Sequence, residues 1–94
     1  LFRCPAVIDI NYGRATKEAL RILPKELHRK AQIKLARLGA VTSLRDLQEI
    51  RGNRFEKLKG VRQGQCSIRI NDQYRICFTW ENESAVDVEI VDYH

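Results

Sequence analysis

The spacing of hydrophobic residues changes once along this chain, from a helical repeat to strict alternation. The clearest helical repeat is in the stretch LPKELHRKAQIKLARLGA, in which Pro24 suits the first helical position and Gly39 a C-terminal stop. A weaker repeat predicts a helix over residues 9–22, and Thr42 or Ser43 predicts the cap of a short third helix. The apolar stripe of the main helix consists of Leu27, Ala31, Leu35 and Leu38.

From Cys66 onward, apolar and polar residues alternate with the period of a half-buried β-strand. The segments CSIRI and YRICFTW flank the turn NDQ and predict a hairpin, in which Asn71 and Asp72 tolerate a left-handed backbone. The polar turn ENES leads into a third alternating strand, AVDVEIV. A further short strand is predicted over residues 1–4, ended by Pro5.

Helices followed by antiparallel strands predict an α+β fold with the N-terminal helices packed on one face of a small antiparallel β-sheet. The length of 94 residues predicts a single domain over the whole chain. Strict alternation assigns the two faces of the sheet. The residues predicted to face the helices are Ile68, Ile70, Tyr74, Ile76, Phe78, Val86, Val88 and Ile90. Those predicted to lie on the opposite, open face are Arg69, Arg75, Cys77, Asp87, Glu89 and Tyr93.

The net charge of +5 is unevenly distributed along the chain. Residues 1–62 hold fifteen Lys/Arg against six Asp/Glu, or +9, whereas residues 63–94 hold two against six, or −4. The basic part favours an anionic partner, although a solvated surface is the commoner reason for cations on any single helix. The main helix contributes Lys30 and Lys34, and a glycine-punctuated loop contributes Arg51, Arg54, Lys57, Lys59 and Arg62.

Composition excludes several classes of protein. With 44% hydrophobic and 31% charged residues, the chain is typical of a globular domain and not of a disordered one. It has neither the apolar run of about 20 residues that spans a bilayer nor a signal peptide, so a cytoplasmic protein without membrane contact is expected. Three cysteines at wide spacings fit neither a disulfide framework nor a zinc site, and no metal or cofactor is expected.

The open face of the predicted sheet carries the candidate chemistry. Arg69 and Arg75 lie there, and the planar fork of arginine suits phosphate. A cross-strand ion pair of Arg75 with Asp87 or Glu89 explains its presence about equally well.

The chain ends in Asp92, Tyr93 and His94, three side chains that move or orient protons. Strict alternation puts Tyr93 on the face of Arg75 and sends the other two to the helix side. We expect the last two residues to turn out of the ladder so that His94 reaches the site.

Three segments, GNRFEKLKG, GQCSIRINDQYRICFTW and VDVEIVDYH, together closely resemble the HigB branch of the RelE-like toxins of bacterial toxin–antitoxin pairs. The similarity covers roughly residues 25–94 and is strongest from Gly52 onward. It implies a RelE-like fold and a ribosome-dependent endoribonuclease that cuts messenger RNA in the A site without a metal. In that reaction the RNA 2′-hydroxyl attacks the adjacent phosphorus and the 5′-oxygen leaves, which requires a base, an acid and a cationic clamp.

The resemblance also implies partners. These are a HigA-like helix-turn-helix antitoxin, the 70S ribosome and messenger RNA, with operator DNA bound only through the antitoxin complex.

Roles for individual residues follow from the same resemblance. Lys59 and Arg75 match the cationic residues that offset charge on the phosphoryl oxygens. Asp92, Tyr93 and His94 match the terminal acid–aromatic–histidine set, in which His94 is the natural proton carrier at neutral pH. The residues predicted to bind RNA are Arg54, Lys57, Arg62, Arg69, Lys30 and Lys34.

Glu56 departs from the family pattern, because some HigB toxins have a histidine at this position. A carboxylate serves as a base there if Lys57 and Lys59 hold it ionised, and it is equally explained as a loop anion paired with those lysines. The division of acid and base roles between Glu56 and His94 is therefore open.

Two other functions compete with RNA cleavage. ParE-like toxins share the predicted fold and inhibit DNA gyrase, but they generally lack the terminal DYH set. A non-catalytic nucleic-acid-binding module would use the same cations only to position phosphates. Tyr74 and Trp80 could serve as stacking platforms, but their positions favour core packing.

Overall fold

A computed structural model describes residue 2 and residues 4–93 of the chain, with Arg51 through its backbone only. Within these residues, helices precede a four-stranded antiparallel sheet of order β1-β2-β3-β4, which confirms the predicted α+β class. The helices are α1 (Pro5–Asn11), α2 (Lys17–Ile22), α3 (His28–Ala40) and α4 (Leu44–Gln48). The strands are β1 (Glu56–Lys57), β2 (Gln65–Arg69), β3 (Tyr74–Glu81) and β4 (Ser84–Asp92). No helix in the described part of the chain is long and apolar enough to cross a membrane.

The prediction of one helix over residues 9–22 is wrong, because the chain forms two helices there. Gly13 adopts a φ of +74° between them, a left-handed conformation that ends α1 and redirects the chain. Thr16 then caps α2 by accepting a hydrogen bond from the Ala19 amide. Pro5 begins α1, and the backbone before it is extended: Phe2 forms an isolated parallel bridge with Val88, and Cys4 has extended φ and ψ angles. Of the strand predicted over residues 1–4, Leu1 and Arg3 lie outside the described residues.

The main helix follows its apolar stripe, since Ala31, Leu35 and Leu38 are buried. A turn of 3₁₀ helix, Lys25–Leu27, precedes α3, and the predicted stop at Gly39 is one residue early because α3 continues through Ala40. The cap of α4 is Ser43, whose hydroxyl accepts from the Asp46 amide.

Both predicted turns of the strand meander are confirmed, but by different means. In the first turn, the Asn71 side chain accepts hydrogen bonds from the amides of Gln73 (2.9 Å) and Tyr74 (2.8 Å) and so replaces the left-handed backbone that was predicted. In the second, Asn82 and Glu83 have φ values of +48° and +62°, which matches the twist of a tight hairpin.

The sequence did not predict β1, a two-residue strand in the basic loop. It pairs antiparallel with β2, so that Glu56 lies opposite Ser67, and Ser67 lies opposite Cys77 on β3. This pairing brings the loop to the edge of the sheet next to Arg75.

The predicted orientation of Val86 is wrong. The register shifts between Cys77 and Thr79, where Asp87 has a φ of +51°, so one extra residue enters β4. Val86 therefore pairs with Thr79 on the face away from the helices, and Ala85 is buried in the core in its place.

The core lies between the helices and one face of the sheet. Tyr74 and Trp80 are half-buried and pack against it, as predicted. The other face carries Arg69, Arg75, Glu89 and Tyr93 beside solvent-accessible grooves, as predicted. Its centre is more buried than predicted, since Ser67 and Cys77 are fully buried and Arg75 is 8% exposed. Its side chains form a polar layer that contains the candidate site.

Candidate functional site

A pocket of about 280 Å³ lies on the face of the sheet opposite the helices. Among the described residues, five of the predicted site residues line it, together with Asn71 and Asp72 of the first hairpin turn. The five are Arg54, Glu56, Arg69, Arg75 and Tyr93. Strand β1, the β2–β3 hairpin and the end of β4 thus supply one site.

Arg75 is the buried centre of the pocket. Its Nε–H donates to the Ser67 hydroxyl at 2.7 Å, and its Nη2 donates to the carbonyl oxygens of Arg54 (2.5 Å) and Ser67 (3.3 Å). The remaining nitrogen, Nη1, is 3.7 Å from the Glu56 carboxylate. The ion-pair partner of Arg75 is therefore Glu56, and not the Asp87 or Glu89 considered from the sequence.

A second arginine faces Arg75 across the sheet, since the register places Arg69 directly opposite it. Arg69 forms an ion pair with the highly exposed Asp72. On the neighbouring helix, burial lowers the pKa of Lys34, and the positive charges of nearby groups, Arg69 and Arg75 among them, lower it further. The side chains that line the pocket carry three positive charges against two negative ones.

Tyr93 lies on the face of Arg75, as the alternation predicts. The guanidinium carbon of Arg75 is 6.0 Å from the centre of the Tyr93 ring. Partial burial raises the pKa of the Tyr93 phenol, so this group keeps its proton at neutral pH. Its backbone N–H donates to the Gln73 carbonyl at 2.5 Å, which ties the chain to the first hairpin turn.

Asp92 remains in β4 opposite Tyr74, and its carboxylate accepts from the Gln73 side chain at 3.2 Å. It is exposed at the strand end, outside the pocket. His94 lies outside the described residues, so its approach to the pocket stays a prediction.

The other predicted cations of α3 and the basic loop do not line this pocket. Lys57 pairs with Cys66 on the helix side of the sheet, and Lys59 is exposed before the 3₁₀ turn Gly60–Arg62. Neither is the ion-pair partner of Glu56 in the described contacts, since that partner is Arg75. On α3, Lys30 is exposed, whereas Lys34 donates to the Asn53 side chain at 2.9 Å.

Arg62 lines a separate groove of about 570 Å³ on the same sheet face. It forms an ion pair with Glu89 at 2.6 Å and also donates to Gln65 at 3.0 Å. The hydrogen bond to Glu89 raises the pKa of Arg62. Its charge is thus already compensated within the protein.

Sequence reasoning missed two groups that hold Arg75, namely Ser67 and the carbonyl of Arg54. Ser67 lies two residues before Arg69 on β2, so the alternation in the sequence already placed both on the same face of the sheet. The Arg54 carbonyl accepts from Arg75 at a point where the Arg54 backbone has a φ of +42°, and no pattern in the sequence indicates this conformation. Among the described residues, no cluster of three or more His, Cys, Asp or Glu side chains is arranged to hold a metal ion.

The architecture is that of the RelE-like toxins. Similarity extends to the solved structure of the YoeB-YefM complex from Staphylococcus aureus, with a TM-score of 0.53 and 22% sequence identity. The alignment covers 99% of this chain and 92% of that one, and at this identity it establishes the fold alone.

Sequence comparison defines the family more narrowly. The family model described as the RelE-like toxin of the type II toxin-antitoxin system HigB matches residues 14–94. Toxin HigB-1 of Vibrio cholerae serotype O1 (strain ATCC 39315 / El Tor Inaba N16961) is 40% identical over 67 residues, which is 71% of this chain and 70% of that protein. The chain therefore belongs to the HigB-like family of type II toxins, and the match begins nearer the N-terminus than the resemblance seen in the sequence. A toxin of this type has an antitoxin as its partner.

Proposed function

We propose that this toxin is a ribosome-dependent endoribonuclease that cleaves messenger RNA in the A site by attack of a 2′-hydroxyl on the adjacent phosphorus. The observation that carries the proposal is the composition of the pocket, where three arginines, two carboxylates and a protonated phenol converge. Phosphoryl transfer within RNA needs these groups: positive charge for the phosphoryl oxygens and groups that move protons.

Arg75 stabilises the negative charge that develops on the phosphoryl oxygens. Its guanidinium is fixed by Ser67 and Arg54, so it needs little reorganisation when the transition state forms. Tyr93 keeps its proton and donates a hydrogen bond to the same phosphoryl group. Lys59 adds positive charge from the exposed loop beside β1, a role that the family resemblance supports.

Proton transfer uses Glu56 and His94. Glu56, exposed beside Arg75, removes the proton of the 2′-hydroxyl as the bond from O2′ to phosphorus forms. His94 gives a proton to O5′ as the bond from phosphorus to O5′ breaks. Asp92, two residues earlier, orients the imidazole. The products are a 2′,3′-cyclic phosphate and a free 5′-hydroxyl.

The basic surface around the pocket binds the RNA backbone on the ribosome. Cations on α3 and in the basic loop contact phosphates and position the message without reading its sequence. Besides Arg54 and Arg69 in the pocket, this set comprises Lys30, Lys34, Lys57 and Arg62. The protein acts in the cytoplasm as a single domain over residues 1–94. It is neutralised by a HigA-like helix-turn-helix antitoxin, through which alone it reaches operator DNA.

The test is cleavage of a message on programmed 70S ribosomes by antitoxin-free protein, with analysis of the 3′ ends. Wild-type protein is expected to cut in the A site and leave cyclic-phosphate ends. Glu56→Gln and His94→Ala are each expected to slow cleavage by about 10²–10⁴-fold, the usual contribution of a positioned acid or base. The control is Glu49→Gln, an exposed carboxylate paired with Arg45 on α4, which should cleave like wild type.

Three outcomes would contradict the proposal. Wild-type protein that binds programmed ribosomes without cutting the message would indicate a passive binding module. Loss of gyrase supercoiling activity without RNA cleavage would indicate a ParE-like inhibitor. Full activity in both Glu56→Gln and His94→Ala would remove the proposed acid and base.

A further inference from the structure

We infer that Ser67 is a positioning residue for cleavage, because it fixes the direction in which Arg75 presents its charge; this inference rests on the proposed function. Ser67 is fully buried in β2, at the same register level as Glu56 on one neighbouring strand and Cys77 on the other. Its hydroxyl accepts from Arg75 Nε at 2.7 Å, and its own carbonyl accepts from Nη2 at 3.3 Å.

The third anchor of the guanidinium is the carbonyl of Arg54, 2.5 Å from Nη2. A guanidinium carries five N–H groups, one on Nε and two on each Nη nitrogen. The contacts with Ser67 and Arg54 engage the three on Nε and Nη2, and the two on Nη1 remain for the pocket. Arg75 therefore meets a phosphoryl oxygen through Nη1 alone, and not through the two-pronged fork expected of an arginine at a phosphate site.

Nη1 is also the nitrogen that lies 3.7 Å from the Glu56 carboxylate. The positive charge for the phosphoryl group and the base for the 2′-hydroxyl are thus adjacent at one atom. Ser67 holds the plane of the guanidinium and so sets the direction of Nη1 relative to Glu56. If the plane rotates, the charge remains in the pocket but no longer points to the reacting phosphate.

Two variants distinguish a positioning role of Ser67 from a purely structural one. Ser67→Ala removes only the hydroxyl, so the carbonyls of Arg54 and Ser67 still accept from Nη2. The fold should therefore persist while the guanidinium gains freedom. The matched control is Cys66→Ala, since Cys66 is the adjacent residue of β2, is also buried, and faces the helices instead of Arg75.

The kinetic test measures single-turnover cleavage at saturating programmed ribosomes, together with ribosome affinity. Ser67→Ala should slow cleavage roughly tenfold, the loss expected from one hydrogen bond to a charged group, with affinity unchanged within about twofold. Cys66→Ala should cleave within about twofold of wild type. In an Arg75→Ala background, adding Ser67→Ala should change the rate by less than about twofold, because Ser67 acts only through Arg75.

Cleavage by Ser67→Ala at the rate of Cys66→Ala would overturn the inference. The inference would also be overturned if the double variant lost cleavage rate by the product of the losses in Ser67→Ala and Arg75→Ala, because the two residues would then act independently.

A second measurement does not depend on RNA. The Arg75 Nε–H signal in ¹H–¹⁵N NMR should exchange with water roughly tenfold faster in Ser67→Ala than in wild type, and at the wild-type rate in Cys66→Ala. Unchanged exchange in Ser67→Ala would overturn the inference even if Arg75→Ala fails to fold. Wild-type protein that does not cleave would overturn both the proposed function and this inference. Normal cleavage by Ser67→Ala beside an active wild type would overturn the inference alone.

Discussion

Arg69 and Arg75 lie directly opposite each other on β2 and β3, so two positive charges occupy one cross-strand pair of the sheet. Like charges in this arrangement destabilise a sheet by roughly 0.2–1 kcal/mol. Glu56 and Asp72 offset the repulsion from the rim of the pocket, where both carboxylates are exposed. A pair that costs stability in the free protein is well suited to bind an anion, which removes the repulsion on binding.

Arg69→Gln tests this relationship. The free energy of unfolding should stay constant or rise by up to about 1 kcal/mol, because repulsion by Arg75 is removed and the exposed ion pair with Asp72 contributes little. Cleavage on ribosomes should fall roughly tenfold or more, since a charge-assisted contact to phosphate is lost. Urea unfolding and the cleavage assay measure the two effects. Arg45→Gln, which also breaks an exposed ion pair, is the control and should leave cleavage unchanged. A larger loss of stability in Arg69→Gln than in the control would show that repulsion is not important.

Backbone strain at Arg54 gives a second prediction. Its φ of +42° is unfavourable for a residue with a Cβ, and glycine adopts it without that cost. Arg54→Gly should therefore raise the free energy of unfolding by up to about 1 kcal/mol, while the loss of a pocket cation weakens cleavage. Glu83→Gly is the matched control, because Glu83 has a φ of +62° in the exposed second turn. It should gain similar stability in urea unfolding and keep full activity. Lower stability in Arg54→Gly than in wild type would argue against strain at this residue.

The salt dependence of ribosome binding tests whether the cations of α3 contact RNA phosphates. Lys30 is exposed on α3, and its contact with phosphate should release about one counterion. The logarithm of the ribosome-binding constant should fall less steeply with the logarithm of the salt concentration in Lys30→Gln, with a slope smaller in magnitude by about one for every message sequence. Lys17→Gln, an exposed lysine of α2 outside the predicted set, should leave the slope unchanged. Equal slopes for wild type and Lys30→Gln would place this helix away from the RNA.

The buried thiol of Cys77 predicts how stability depends on pH. Burial raises the pKa of Cys77 above its ordinary value of 9.0, which the unfolded chain retains. Above about pH 9 the unfolded chain therefore loses this proton first, and the free energy of unfolding falls as pH rises until the folded thiol also ionises. The fall from one group is at most about 1.4 kcal/mol per pH unit. Urea unfolding from pH 7.5 to 10 should show a shallower fall for Cys77→Ala than for Cys4→Ala, whose cysteine is only half-buried. Equal slopes in the two variants would contradict the assignment.

The sequence by itself determined the features that depend on local order. The apolar stripe of α3, the two hairpin turns and the position of Tyr93 on the face of Arg75 follow from residue spacing and turn chemistry. These patterns arise because the side chains of a helix or a strand repeat with a fixed period, so the spacing of residues along the chain decides which face each one occupies. The resemblance to the HigB branch was also visible in the sequence alone, and the family match confirms it.

Only the tertiary structure decided which groups meet in the pocket. Arg75 pairs with Glu56 because a two-residue strand in a glycine-punctuated loop closes on β2, a long-range contact without a local signal. Val86 leaves the core because an irregularity at Asp87 shifts the register by one residue, which reverses the alternation on that side of it. Alternation is set by neighbours along the chain, whereas strand pairing and register depend on the packing of the whole sheet.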